Sequence, residues 1–203
     1  MYWSTRADGD HLNLTNPLSP DEEYSFITQV KDKPDAFRPL YRHYFPRIFA
    51  YVACRVSSRQ DTEDLTSDIF MKVVEAIDQF EYRGEGSFAA WLFQIANNTI
   101  KQFYRLDERW ETTLIDALPE LYSTDPLPDE SFSRKERFRW LQAALETLTP
   151  RRREIVLLRF ASGLRNQEIA SVLNLDERTV ASHLCRALED LQQQYQQEEL
   201  ADE

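Results

Sequence analysis

Basic, amide and aromatic side chains are interleaved in residues 91–105, a stretch that contains no acid although the chain is acidic as a whole. Lys101 and Arg105 supply the positive charge. The groups beside them that can hydrogen-bond or stack are Asn97, Asn98, Gln102 and Tyr104. Cations that hold phosphates next to rings that stack on bases suit single-stranded or opened DNA. The alternative is that the aromatic rings are core residues, which is the expectation for Trp91, Phe93 and Phe103 taken individually.

A second stretch with possible nucleic-acid chemistry covers residues 150–194. Gly163 should end its first helix, residues 167–173 fit a short helix, and residues 174–176 form a tight turn with Asp176 as the cap of a longer helix. A short helix, a turn and a long helix make the helix-turn-helix pattern, whose second helix enters the major groove. An ordinary three-helix bundle that touches no DNA is the alternative.

Some charges of this stretch favour DNA binding and others oppose it. Arginines on or before its first two helices could neutralise phosphates, and they are Arg151, Arg152, Arg153, Arg159 and Arg165. The last helix has Arg178, His183 and Arg186 against the acids Glu177, Glu189 and Asp190. We therefore expect weak binding of duplex DNA by this part alone.

Residues 61–80 predict a further amphipathic helix, beginning at Asp61 or Thr62. Its expected buried stripe is Leu65, Ile69, Phe70, Val73, Val74 and Ile77. Acids occupy most of the remaining surface, with Lys72 as the one cation. Such a face is usually solvated, and the alternative is a docking surface for a basic partner.

The helical pattern extends over most of the chain and predicts an all-α fold of two small domains. We expect a flexible tail at 1–20, a first domain at 21–105, an acidic proline-containing linker at 106–133, a second domain at 134–195 and an acidic tail at 196–203. Ser19 or Asp21 should cap the first helix and Asp35 the next, which Pro46 should kink or interrupt.

Composition limits the function classes. The chain has 203 residues, 24 Lys and Arg against 35 Asp and Glu, and a formal net charge of −11, so bulk charge cannot draw it to DNA. Cys54 and Cys185 lack metal-ligand spacing and are expected to be buried thiols. The chain has no catalytic motif, no phosphate loop and no apolar run of membrane-spanning length. We expect a cytoplasmic protein that is not an enzyme, with no cofactor, metal or membrane insertion.

Three segments, in this order, resemble bacterial RNA polymerase sigma factors of the extracytoplasmic-function (ECF) type. They are DTEDLTSDIFMKVVEAIDQF, then RGEGSFAAWLFQIANNTIKQFYR, then LTPRRREIVLLRFASGLRNQEIASVLNLDERTVASHLCRALEDL. The resemblance covers roughly residues 36–105 and 137–191. It implies a sigma-two-like domain and a sigma-four-like helix-turn-helix domain, with a linker that threads into the polymerase cleft.

The resemblance also implies a role for particular residues. Docking on the beta-prime clamp of core RNA polymerase falls to Asp61, Glu63, Asp64, Leu65, Asp68 and Phe70. The loop 82–88 and the helix after it would recognise the melted −10 element, where a base is flipped into a protein pocket. The residues implied in this recognition are Tyr82, Arg83, Ser87, Phe88, Asn98, Lys101, Gln102 and Arg105. Recognition of the −35 element falls to Arg178, Thr179, Ser182, His183 and Arg186, with Arg151, Arg152, Arg153 and Arg159 near phosphates.

Further partners implied are the beta flap of the polymerase, promoter DNA and an anti-sigma factor. The last helix departs from the family pattern, which usually has basic residues where Ala181, His183 and Glu189 stand. Arg165 occupies the usual serine cap, so Asn166 is expected to cap instead. Two alternatives stay open: a sigma-like mimic that binds an anti-sigma protein without reading a promoter, and a stand-alone helix-turn-helix regulator.

Overall fold

The computed structural model describes residues 18–30, 32–56, 58–106 and 140–199 of the chain. Within these residues the protein consists of helices, turns and connecting segments, with no strand, which confirms the predicted all-α class. The helices are α1 (Pro20–Val30), α2 (Phe37–Ala53), α3 (Arg59–Ala76), α4 (Ser87–Leu106), α5 (140–147), α6 (Pro150–Phe160), α7 (Asn166–Leu173) and α8 (Glu177–Glu199). Short 3-10 turns occupy Pro34–Ala36 and Ile77–Gln79.

The N-terminal caps follow the sequence prediction for α1 and depart from it for α3. The Ser19 hydroxyl accepts from the Glu22 amide, and the Glu22 carboxylate accepts from the Ser19 amide. Helix α3 begins earlier than predicted, because the Ser58 hydroxyl accepts the Asp61 amide at 3.2 Å and so provides the cap. Asp61 and Thr62 therefore lie inside the first turn.

The predicted cap of α2 was wrong, and so was an interruption of the helix at Pro46. Ala36, not Asp35, occupies the cap position, since the 3-10 turn Pro34–Ala36 leads directly into the helix. Pro46 does not interrupt α2, which runs on to Ala53. A proline removes a single backbone N–H donor, and the buried side chains on either side, including Tyr44 and Ile48, hold the helix against its neighbours despite that loss.

The first half of the described chain is a bundle of α1 to α4. Ile48, Ile69 and Leu92 from three different helices are fully buried in it. Aromatic rings close the end near the α3–α4 loop, where Phe88 packs against Tyr44, Phe80 and Trp91 with ring centroids 5.4 to 5.7 Å apart. This aromatic packing fixes the start of α4, where part of the −10 prediction falls.

The second half packs α6, α7 and α8 around Ile155, Leu158, Ile169, Val180 and Ala187, all fully buried. Asn174 adopts the left-handed conformation at φ 52°, which ends α7 sharply and turns the chain into α8. Arg165, not Asn166, is the N-cap residue of α7, and its amide donates to the Glu168 carboxylate at 2.7 Å. The predicted helix-turn-helix is therefore present.

The two halves, which the sequence predicts as two domains joined by a linker, are packed directly on each other. Helix α4 lies against α7, and one continuous apolar core runs through both halves. Polar groups also cross this contact, including an ion pair between Arg55 and Glu154. The linker itself, residues 106–133, lies outside the described residues except for Leu106.

Candidate nucleic-acid interface

The turn between α7 and α8 orients the predicted recognition helix. The Asp176 carboxylate accepts the Arg178 amide at 2.8 Å, as expected for its predicted capping role. Val180 and Ala187 anchor α8 in the core. His183, three residues after Val180, borders this buried face, and the other four of the five predicted −35 residues lie away from it. Four of these are exposed and His183 is half-buried, in the set Arg178, Thr179, Ser182, His183 and Arg186.

The arginines expected near phosphates are largely committed to contacts inside this half of the protein. Arg152 pairs with Asp190 on α8. Arg153 donates to the carbonyl oxygens of Leu145 and Glu146 at 2.9 and 2.6 Å, and so closes the end of α5. Arg159 donates to the Leu164 carbonyl at 3.0 Å. A guanidinium has five donors, so Arg159, which is exposed, keeps donors for a phosphate, as does the exposed Arg151.

The predicted −10 residues on α4 form one exposed face. Asn98, Lys101, Gln102 and Arg105 follow helical spacing and are all exposed. Burial and the neighbouring cations Arg55 and Arg151 lower the pKa of Lys101, so a phosphate beside Lys101 would relieve a repulsion. This strip suits a single strand whose bases hydrogen-bond to the amides.

The loop before α4 is held by its own hydrogen bonds. The Ser87 hydroxyl accepts the Arg83 amide at 3.1 Å and donates to the Gly84 carbonyl at 2.6 Å. Arg83 is exposed and Tyr82 is half-buried against Tyr24, whereas Phe88 is buried in the aromatic cluster. Phe88 is therefore placed to shape the loop, and not to stack on a base in this conformation.

A cavity of about 550 Å³ lies beside this loop. Its walls come from the 3-10 turn, the loop and the first turns of α4, with the rings of Phe80 and Trp91 on one side. The remaining wall comes from α7, through Gln167, Glu168 and Ser171. Sequence reasoning missed this contribution, because it depends on how the two halves pack.

The predicted docking residues on α3 divide into two groups. Glu63, Asp64 and Asp68 are exposed and Asp61 is half-buried, while the side chains of Leu65 and Phe70 are buried. The buried pair can hold the helix in place but cannot reach a partner directly. The exposed acids thus form the accessible part of the predicted docking site.

Sequence reasoning missed an apolar part of the same surface. Met71 is 61% exposed, and Val74, which was predicted to be buried, is 51% exposed. Asp64, Asp68 and Met71 lie at i, i+4 and i+7 on one face of α3, and Val74 continues it. Nearby, Tyr41 of α2 is exposed and packs on Phe70 with ring centroids 4.7 Å apart. We call Asp64, Asp68, Met71 and Val74 the α3 face.

The described residues give little scope for other chemistry. They contain no group of three or more His, Cys, Asp and Glu side chains arranged to hold a metal ion. Among the helices described, none is long and apolar enough to cross a membrane. Of the two cysteines, Cys54 is buried as expected, whereas Cys185 is exposed on α8. The prediction of a buried thiol was wrong for Cys185 because α8 is packed on one face only.

Both halves match family models. Residues 40–110 match the model described as Sigma-70 region 2, and residues 138–191 match Sigma-70 region 4. The first matched segment contains α3, the loop and α4, and the second contains the helix-turn-helix. The two matched segments therefore include every residue to which the resemblance gives an individual role.

Curated relatives agree with these models. The ECF RNA polymerase sigma factor BldN of Streptomyces coelicolor is 32% identical over 158 residues, which are 77% of this chain and 59% of the relative, so the chain spans little more than half of that protein. The RNA polymerase sigma factor YlaC of Bacillus subtilis is 30% identical over 154 residues, covering 75% of this chain and 88% of the relative. The ECF RNA polymerase sigma-E factor of Escherichia coli K12 is 29% identical over 178 residues, covering 82% of this chain and 90% of the relative.

Solved structures share the fold. CnrH, solved in complex with the cytosolic domain of CnrY, superposes with a TM-score of 0.61 at 23% identity, over 85% of this chain and 96% of that one. The sigma factor RpoE, solved with the anti-sigma factor NepR from Bartonella quintana, gives a TM-score of 0.57 at 23% identity, over 79% of this chain and 96% of that one.

Proposed function

This chain belongs to the ECF family of RNA polymerase sigma factors, and we propose that it directs core RNA polymerase to specific promoters and helps to open the promoter DNA. The observation that carries the proposal is the presence of two separate exposed faces in the region 2 segment. One is the acidic and apolar α3 face, and the other is the acid-free strip of α4. A protein that only bound duplex DNA would need neither. The protein acts by binding, without catalysis of its own.

The α3 face is the proposed docking site for the beta-prime clamp of core RNA polymerase. Its carboxylates, Asp64 and Asp68, suit a basic partner, and the adjoining Met71 and Val74 supply apolar area that a partner can cover. Charged groups give such a contact its orientation and association rate, while buried apolar area gives affinity. Asp61 and Glu63 extend the acidic part, and Leu65 and Phe70 support it from the core.

The loop 82–88 and the exposed face of α4 are the proposed −10 reader. The cavity beside the loop has the aromatic wall that an unstacked base requires. Asn98 and Gln102 can hydrogen-bond to bases, while Lys101 and Arg105 attract the backbone. This division of work fits a strand that has already left the duplex.

Helix α8 is the proposed −35 reader, with Arg178 and Arg186 as its cations and the beta flap as the polymerase contact of this half. Few cations are available, so its affinity for duplex DNA on its own is low. In the holoenzyme, tethering to the polymerase raises the effective concentration of α8 at the promoter and compensates for this. Helix α8 therefore contributes more to the choice of promoter sequence than to the affinity for DNA.

We extend the proposal to domains, location and regulation. Residues 21–105 and 134–195 act as two domains joined by the linker 106–133, in the cytoplasm. The Bartonella quintana sigma factor of the same fold was solved with an anti-sigma factor, and a protein of that class is the second partner proposed here.

Transcription by reconstituted holoenzyme on a genomic DNA library, with start sites mapped, tests the function. We expect new start sites that share one upstream sequence and that require this chain. Core binding without any promoter-dependent transcript would favour the sigma-like mimic. Failure to bind core polymerase at all would leave a stand-alone helix-turn-helix regulator.

A further inference from the structure

We propose that α1 is a third part of the −10 reader, in which Glu23 and Tyr24 position the loop 82–88 without touching DNA. We call these two residues the α1 brace. The proposal rests on the proposed function of that loop and adds positioning residues to it. Helix α1 ends at Val30, ahead of residue 40, where the match to Sigma-70 region 2 begins, so neither family model includes the brace.

The loop needs support from outside because its two glycines permit many backbone conformations. Gly84 adopts φ +107° with nothing within 4 Å of an added Cβ, and Gly86 adopts φ +78° beside the Glu168 side chain. The bonds of the Ser87 hydroxyl to Arg83 and Gly84 fix the turn itself but not its position against the bundle. A pocket that receives one base needs its walls held to within about 0.5 Å.

Tyr24 holds the start of the loop. Its ring centroid lies 4.9 Å from that of Tyr82, with an interplanar angle of 52°. The Glu81 and Arg83 side chains on either side of Tyr82 line the cavity, while Tyr82 packs against α1. The placement of Tyr82 therefore determines where its two neighbours stand at the cavity wall. Tyr24 is 50% exposed, so little of its ring serves the core of the bundle.

Glu23 holds the end of the loop through one intermediate side chain. Its carboxylate accepts a hydrogen bond from the Tyr44 hydroxyl, and both residues are buried. The Tyr44 ring packs on Phe88 with ring centroids 5.4 Å apart and an interplanar angle of 62°. Two consecutive residues of α1 therefore reach both ends of the loop 82–88. A shift of α1 along its axis would break the buried bond of Glu23, so the position of Tyr24 is fixed as well.

Helix α1 is itself firmly placed. Ile27 and Val30 are buried against the bundle, and the reciprocal bonds between Ser19 and Glu22 cap the N-terminal end. Tyr24 lies between these two anchors. All of these contacts lie within α1, α2, the loop and α4, so the brace does not depend on the helix-turn-helix.

The surface around the brace is unsuited to touch DNA itself. Asp21 and Glu22 are exposed in the first turn of α1, and their carboxylates would repel a phosphate that approached Tyr24. Tyr24 therefore acts through Tyr82, as a positioning residue. Without Tyr24 the loop spends less time in the shape that fits a base, and the preference for that base falls in proportion.

The test is base preference, measured with reconstituted holoenzyme on a promoter library randomised across the −10 element. Tyr24→Ala should reduce the preference at the position read by the loop roughly fivefold, the scale of one aromatic pair, with core binding and −35 preference unchanged. Tyr24→Phe keeps the ring and should keep the preference. Tyr195→Ala is the matched control, since Tyr195 is 51% exposed and packs on Trp140 at 5.3 Å in the other half.

The second residue of the brace has its own pair of variants. Glu23→Ala should lower the same preference, because Phe88 loses its support through Tyr44. Glu23→Gln still offers an oxygen to the Tyr44 hydroxyl and should keep the preference of the native chain. Equal effects of the two variants would mean that the charge of Glu23, and not its bond to Tyr44, matters for the loop.

A template melted in advance across the −10 element separates reading of the base from opening of the duplex. Positioning of the loop predicts the same loss of preference on duplex and on melted templates. A purely structural role of Tyr24 predicts fewer transcripts from every promoter with the native preference. That result, or an equal loss of preference in Tyr195→Ala, would overturn the inference.

Fluorine NMR of the free chain labelled with fluorotyrosine reports the brace directly. The Tyr82 signal is identified by its loss in Tyr82→Phe, and Tyr24→Ala should move it towards the shift of free fluorotyrosine. A Tyr82 signal that stays in place would overturn the inference. Absence of any −10 preference in the native holoenzyme would instead contradict the proposed function, and the fluorine signal would still show whether α1 holds the loop.

Discussion

The hydroxyl of Tyr51 donates a hydrogen bond of 2.5 Å to the carboxylate of Glu154, across 103 positions of sequence and between the two halves of the protein. Arg55 completes the arrangement by pairing with the same carboxylate. Glu154 is only 8% exposed, so these two groups replace the water that its charge would otherwise require. The contact makes the packing of the two halves dependent on one buried charge.

Arg55→Met should lower the free energy of unfolding by about 3 kcal/mol, because it leaves the Glu154 carboxylate buried with a single hydrogen-bond donor. Chemical denaturation followed by circular dichroism measures the change. Arg59→Met is the control, since the Arg59 side chain is 68% exposed in its pair with Glu63, against 14% for Arg55. An exposed pair of this kind contributes less than ~1 kcal/mol. Equal losses in the two variants would show that burial of the Glu154 pair has no special weight.

Asp64→Arg with Asp68→Arg should weaken binding to core polymerase by ~100-fold or more, because like charges then face a basic partner. Holoenzyme formation is measured by pull-down, with helicity checked separately. Asp32→Arg with Asp35→Arg makes the same charge change at exposed acids of the α1–α2 connection. If both double variants bind core polymerase alike, the α3 face is an ordinary solvated surface.

Asn98→Ala or Lys101→Ala should reduce initiation on duplex promoters about tenfold, with core binding unchanged. A stacked or hydrogen-bonded base contributes ~1–3 kcal/mol, and both side chains are exposed on the α4 strip. Run-off transcription on duplex templates provides the measurement. Native transcript levels from both variants would remove α4 from the −10 assignment.

Asp190→Asn should strengthen duplex binding of the promoter by the holoenzyme and steepen its salt dependence. The change frees Arg152 from its ion pair, and one further neutralised phosphate adds about 0.9 to the slope of log K against log salt. Glu189→Gln removes the same charge one residue earlier, where the carboxylate contacts Cys185 and not Arg152. A steeper slope in both variants would mean that net charge alone, and not the release of Arg152, sets the binding.

Glu23→Gln should remove an unusual pH dependence of stability. Burial is the main cause that raises the pKa of the Glu23 carboxyl above its ordinary value near 4.5. The folded state therefore holds the proton more tightly than the unfolded state, so this group stabilises the fold at low pH and that contribution is lost as pH rises through the folded pKa. Melting temperatures of the two proteins are measured between pH 4 and 8, at intervals of about one pH unit. The melting temperature of the native chain should fall relative to that of the variant as pH rises. Parallel curves would contradict the raised pKa.

The sequence predicted helices and the helix-turn-helix well because these depend on neighbours in the chain. The repeat of Val180, Leu184 and Ala187 and the caps at Ser19 and Asp176 are local signals. The family prediction was confirmed for the same reason, since its motifs are contiguous segments. Residues of a single helix face, such as Asn98 and Lys101, could likewise be grouped from spacing alone.

What the sequence could not predict depends on contacts between distant segments. Glu154 follows three arginines in the helix PRRREIVLL, so the local sequence predicts an exposed acid. In the structure it is buried against its partners Tyr51 and Arg55. Val74 fits the apolar stripe of α3 but lies at its edge, where its side chain is 51% exposed. The burial of both residues is decided by tertiary packing, which overrides the local pattern.

Gly86 lies against the Arg165 and Glu168 side chains at the start of α7, and the neighbouring Glu85 pairs with Arg165; this contact has a consequence for how sequences of this kind can diverge. A side chain at position 86 would overlap the Glu168 carboxylate, so the loop and the start of α7 constrain each other's sequence. Positions 85 and 86 should therefore vary together with positions 165 and 168 among proteins whose two halves pack in this way. Where an ion pair is absent at 85 and 165, a larger residue at 86 should become tolerated, so that covariation of these four positions would trace this packing of the two halves through the family's history.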